Sequence, residues 1–141
     1  MDSKFLLSTH PSFLLERLIS QYKKQDRLII AYDFDDTVCP MYSANCEDVK
    51  SIIRKLKSSI NAFFIVFTSN KDIDSIKEYL NEEEIPYNAI NENAEFVPFK
   101  EGKIFYNVLL DDKAGLGETV NTLRQLIYLV ENKYIQKEKA L

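Results

Sequence analysis

Residues 28–38 read LIIAYDFDDTV, an apolar run closing on aspartates at positions 33, 35 and 36. A short, nearly continuous apolar run is the pattern of a strand covered on both faces, and parallel sheets are the ones covered in that way. We therefore predict a central strand over Leu28–Phe34 whose carboxyl end carries a cluster of acids. Upstream, Ser12–Gln25 is predicted as a helix, with Leu14, Leu18 and Tyr22 on one stripe and Leu15 and Ile19 beside it. Downstream, a helix is expected from Asn45, its N-cap, to Ile60, burying Val49, Ile52, Ile53 and Leu56. AFFIVF (Ala62–Phe67) repeats the buried-strand pattern, and Asp72–Glu83 follows as a helix through Ile73, Ile76 and Leu80, stopped before Pro86. Tyr87–Ile90 is predicted as a short strand, and Asn91–Gly102 as loop broken by Pro98 and Gly102. Val108–Leu110 ends a fourth strand, and Gly117–Asn132 forms the last helix with Val120, Leu123, Ile127 and Val130 inward.

This alternation is the signature of an α/β domain built on a mostly parallel sheet. At 141 residues with 45% hydrophobic content the chain fits one domain over 1–141, with 1–27 adding an N-terminal helix to the core and 133–141 a frayed tail. No apolar run approaches the ~20 residues that span a bilayer. The start, MDSKFLLSTHPSF, has too short an apolar stretch for a signal-peptide core, so a cytoplasmic protein without membrane contact is expected. A net charge of −4 argues against an extended nucleic-acid footprint, though not against binding of a strand end. Lys133, Lys137 and Lys139 read as a solvated helix end. Cys39 and Cys46 have no CxxC partner and the lone His10 is distant in sequence, so they read as reduced, packed thiols rather than zinc ligands.

In open parallel sheets, ligands bind beyond the carboxyl ends of the strands. Three such ends carry polar clusters: Asp33, Asp35 and Asp36; Thr68, Ser69 and Asn70; Asp111 and Asp112. Any one aspartate is most simply a strand end or a helix cap. A cluster after one buried strand and a pair after another would crowd like charges on one rim, which raises pKa values or demands a cation. Magnesium, a hard ion that takes one or two carboxylates and keeps positions for water and phosphate, meets that demand. A carboxylate can attack phosphorus once magnesium and a lysine neutralise the phosphoryl oxygens. Asp33, the first polar side chain at its strand end, is the best-placed nucleophile. Asp35 could protonate the leaving oxygen and later deprotonate water. The Thr68 hydroxyl and nearby amides could hold the non-bridging oxygens.

DFDDTV (Asp33–Val38), FFIVFTS ending at Thr68 and Ser69, and NVLLDDKAGL with Asp111 and Asp112 resemble, in order and spacing, motifs I, II and IV of the haloacid dehalogenase-like hydrolases. The resemblance covers roughly Leu28–Asn132. It implies a Rossmann-like three-layer sandwich and a phosphoaspartyl intermediate on Asp33 with acid/base work by Asp35. It also implies magnesium held by the Asp33 carboxylate, the Asp35 backbone carbonyl and Asp111, with Asp112 ligating directly or through water. Thr68 and Ser69 would bind phosphate. The motif III lysine departs from the usual spacing: Lys103 is preferred and Lys100 is the alternative, both close to the acidic pair. Neither gap between motifs can hold a cap domain, so the site should be open, with Tyr42 and Phe96 near its entrance. The expected substrate is a nucleotide, a nucleic-acid end or another phosphorylated metabolite, with a homo-oligomer as one means of covering the site.

Two other classes compete. A response-regulator receiver also clusters aspartates, threonine and lysine, but its threonine follows the phosphoacceptor, whereas Thr68 precedes Asp111 and Asp112. A degenerate hydrolase-like binding module would have lost some of Asp33, Asp35, Thr68 and Asp111. Gly115 and Gly117 form neither GxGxxG nor GxxxxGK[ST] and read as shaping the turn into the last helix.

Overall fold

Along β1 (Ile29–Asp33) the pleat sends Ile30 and Tyr32 to one face and Ile29 and Ala31 to the other, and all four are buried. The computed structural model describes residues 13–42, 46–98 and 102–138. Within them β1 lies between β2 (Phe63–Phe67) and β4 (Val108–Leu110), and β3 (Ala89–Ile90) pairs on the far side of β2. All pairings are parallel, with Ile30 opposite both Phe64 and Val108. The helices are α1 (Phe13–Lys24), α2 (Glu47–Ile60), α3 (Ile73–Glu82) and α4 (Leu116–Glu131). None is long and apolar enough to cross a membrane.

All four helices pack into one core with Ile30, Tyr32, Phe64, Val66, Val108 and Leu110. The opposite sheet face, with Ile29, Ala31, Phe63, Ile65 and Ala89, is covered by Ala94 and Val97 and by partly buried Ile104, Phe105 and Tyr106. Among the described residues this third layer is irregular chain, in line with the loop expected over Asn91–Gly102, and all four helices lie on the other face. Topology explains the side it takes. The chain steps outward from β1 to β3 and then returns past β1 to β4. Crossovers of one hand, run in opposite directions, fall on opposite faces. Sequence explains why it is not helical: it lacks an amphipathic period and contains Pro98 and Gly102, the latter at φ 87°.

Two asparagines start the outer strands by the same device. Asn88 donates its N–H to Phe64 O at 2.9 Å and accepts the Phe64 N–H on Oδ1 at 2.8 Å. Asn107 does likewise with Ile29, at 2.8 and 2.7 Å. Each side chain imitates one more rung of the ladder, which is why β3 and β4 can be so short. The other elements fall within a few residues of expectation. At α2 the capping position is Cys46, without a side-chain cap bond, and Asn45 lies outside the described residues. In α4, Leu126 and Leu129 are buried where Val130 is only half-buried. Gly115 enters α4 at φ 62°, a conformation that favours glycine.

The tail over 133–138 is not frayed as expected. Ile135 is buried, and Lys137 Nζ donates to the carbonyls of Tyr22, Gln25 and Asp26 at 3.3, 2.8 and 3.0 Å while lying 4.5 Å from the centre of the Tyr22 ring. The end of α1 leaves carbonyls without helical partners, and one ammonium with three donors satisfies them. Lys137→Met keeps the apolar stem and deletes the donors. It should cost about 1–2 kcal/mol in denaturant unfolding. A change within experimental error would show the contact to be incidental. Lys139 lies outside the described residues.

Candidate functional site

Because Tyr32 pairs with Leu110 in register, the next residues, Asp33 and Asp111, leave adjacent strands side by side. Asp33, Asp111 and Asp112 each offer a carboxylate oxygen, and these oxygens all lie within 4.8 Å of one another. Asp33 and Asp111 are half-buried and Asp112 is exposed. Burial pushes the Asp33 carboxyl up from 3.8 to about 6, helped by the negative charges of Asp111, Asp112 and Asp35 and opposed by a hydrogen bond from the Phe34 backbone.

No family model, curated protein or solved structure matches the chain.

The donor set fits a hard divalent cation. Its oxygens are carboxylates, its geometry brings three of them together, and the spacing suits one ion bound at about 2.0–2.6 Å, the range of magnesium and calcium bonds to oxygen. Among the described residues no lysine or arginine forms an ion pair with these aspartates. Such a cluster is destabilised by its own charge, and protons or a cation relieve it.

The remaining predicted residues divide. Asp35 is half-buried in the turn after β1 and contributes to the raised Asp33 pKa, but it is outside the group of three. Asp36, at φ 60°, accepts the N–H groups of Met41 and Tyr42 on Oδ1 at 2.8 and 2.7 Å, so its carboxylate organises the loop instead of joining the cluster. Thr68 is half-buried at the end of β2. Its Oγ1 accepts the Asn70 N–H at 3.0 Å, which leaves the hydroxyl hydrogen to donate elsewhere. Ser69 is exposed. Lys103 is exposed beside Ile104, Phe105 and Tyr106. Lys100 lies outside the described residues. Tyr42 is 96% exposed on the loop that Asp36 holds. Phe96 is not at this rim: its ring packs edge-on against Phe63, the first residue of β2, at 5.3 Å.

Three contributors escaped the sequence reading. Asn91 accepts the Thr68 N–H on Oδ1 at 3.0 Å and donates Nδ2 to the Thr68 carbonyl at 2.7 Å, fixing the residue that would face phosphate. Thr37, fully buried, hydrogen-bonds Asp112. Lys50, 3% exposed on α2, ion-pairs Glu47 and Glu83 at 3.4 and 3.3 Å, while Tyr79, whose ring lies 5.2 Å from its Nζ, donates to Val38 O at 3.0 Å. Burial disfavours the Lys50 charge, but hydrogen bonding to Tyr79 and Glu83 outweighs it and leaves the ammonium harder to deprotonate than usual. Lys50 lies one turn before Ile53 on the buried face of α2, and that helical period is the one signal that could have found it.

The Asp33 shift sets a pH signature for the metal-free protein. Its folded pKa of about 6 exceeds the ordinary 3.8, so between these values the folded state holds the proton more tightly than the unfolded chain. The Asp33 contribution to stability therefore falls as pH rises from about 4 to about 6. In thermal melts with chelator the wild type should lose stability relative to Asp33→Asn as pH rises through this window. Equal slopes in the two proteins would refute the shift.

Proposed function

We propose that this chain is a magnesium-dependent phosphohydrolase working through a covalent intermediate on Asp33. The observation that carries the proposal is the half-buried Asp33 carboxyl at a strand end within one group of three carboxylate oxygens. Asp33, Asp111 and Asp112 would hold the metal, with the Asp35 carbonyl as a further ligand. When bound, magnesium supplies positive charge that neutralises phosphoryl oxygens and lowers the Asp33 pKa.

Asp33 attacks phosphorus, an aspartyl–phosphate bond forms and the ester P–O bond breaks, while Asp35 gives its proton to the leaving oxygen. Asp35 then takes a proton from water, which attacks the same phosphorus and releases inorganic phosphate, restoring Asp33. Thr68 donates its hydroxyl hydrogen to a non-bridging oxygen, Ser69 adds a second polar contact, and Lys103 or Lys100 balances the remaining charge. The sequence between the motifs leaves no room for a cap, so on this reading binding energy must come from the substrate's body or a second subunit, which favours a nucleotide, a nucleic-acid end or another phosphorylated metabolite.

The test is a panel of aryl phosphates, phosphorylated metabolites, nucleotides and phosphate-ended oligonucleotides, assayed with magnesium and with chelator. Turnover of at least one class, lost in chelator, is expected. Turnover that ignores chelator, or none across the panel, would contradict the proposal.

A further inference from the structure

Thr37 ties together two loops 75 residues apart in sequence. Its Oγ1 donates to Asp112 Oδ1 at 3.2 Å and accepts the Asp112 backbone N–H at 3.1 Å. The two ends of this contact differ in rigidity. Thr37 is fully buried in a turn where Phe34 O accepts the N–H groups of Val38 and Cys39 at 3.2 and 3.0 Å, and Cys39 O accepts that of Asp36 at 2.8 Å. Tyr79 holds the same turn from α3 through Val38 O. Asp112 is exposed, on the loop between β4 and α4. One hydroxyl thus fixes both the backbone and one carboxylate oxygen of a residue that would otherwise be free to swing into solvent. Oδ2 keeps its acceptor capacity for a cation.

We propose that Thr37 is a positioning residue that pre-sets the Asp112 carboxylate for metal binding. The proposal rests on the metal-site reading given above. A buried threonine that only satisfies its own hydroxyl would support the fold but leave metal affinity alone. A residue that orders a ligand in advance changes affinity, because without it the ligand must be ordered when the metal binds.

Magnesium titration by calorimetry separates the two roles. Thr37→Ser keeps the hydroxyl and should bind magnesium as the wild type does. Thr37→Val keeps the shape, loses the hydroxyl and should raise the dissociation constant about 10–100-fold, the usual effect of removing an outer-shell partner. Unchanged affinity in a folded Thr37→Val would overturn the positioning role and leave the metal site standing. No magnesium binding by the wild type would overturn both. Amide hydrogen exchange on the wild type needs no variant: the Asp112 N–H should be protected, and saturating magnesium should slow its exchange further. An Asp112 amide exchanging equally fast with and without bound magnesium would overturn the proposal even if Thr37→Val did not fold.

Discussion

Asp33→Asn should lower turnover of an aryl phosphate by at least about 10⁴-fold, the scale on which covalent catalysis fails when its nucleophile is removed. The amide has nearly the shape of the carboxylate but cannot form an acyl phosphate that water later cleaves. The variant should fold, and its metal-free form should melt no lower than the wild type above about pH 6, since it deletes a charge that Asp111, Asp112 and Asp35 already oppose. Asp35→Asn should lose less, about 10²–10⁴-fold, as expected for an acid/base group. Near-full activity in Asp33→Asn would transfer the nucleophile's role to another group.

Asp111→Ala should remove most of the response to magnesium. For the wild type, free metal at 100 times its dissociation constant contributes about 2.7 kcal/mol. For a domain of this size that is roughly a 10 °C rise in melting temperature. The variant gives up one of three converging carboxylates. A site weakened about 30-fold would retain only about 0.9 kcal/mol at the same metal concentration. The metal-free proteins should rank the other way, with Asp111→Ala the more stable, because a like charge beside Asp33 is gone. Differential scanning calorimetry with chelator and with magnesium reads both signs. Equal magnesium shifts in wild type and variant would remove Asp111 from the metal site.

The parts of the fold legible in the sequence were those set by local pattern. Apolar runs such as LIIAY and AFFIVF announced buried strands, and period-3.6 stripes announced helices, because burial acts on neighbouring residues at fixed spacing. The convergence of Asp33 with Asp111 and Asp112 followed from the same source, since parallel strands bring their carboxyl ends to one rim. What stayed hidden depends on partners far along the chain. The three carbonyls that hold Lys137 lie 111 to 115 residues away, so a lysine-rich end read as solvated when one lysine was docked. Thr37 looked like one more residue of an acidic motif until its hydroxyl was found on Asp112. Asp36 shows the converse: a carboxylate in the right cluster by sequence was recruited by the amides of Met41 and Tyr42. Spacing counts acids but does not say which of them the backbone will use.

The covalent step on Asp33 is tested most directly by looking for the phosphoryl group itself. An aryl phosphate has a good leaving group, so forming the aspartyl phosphate needs little help from Asp35, whereas its hydrolysis needs Asp35 as a base. In Asp35→Asn the intermediate should therefore accumulate. Rapid mixing with magnesium and aryl phosphate should release a burst of one phenolate per active site. Peptide mass spectrometry of the acid-quenched protein should then find one phosphoryl group on Asp33. Turnover without a burst, or a phosphoryl group on any residue other than Asp33, would contradict the account.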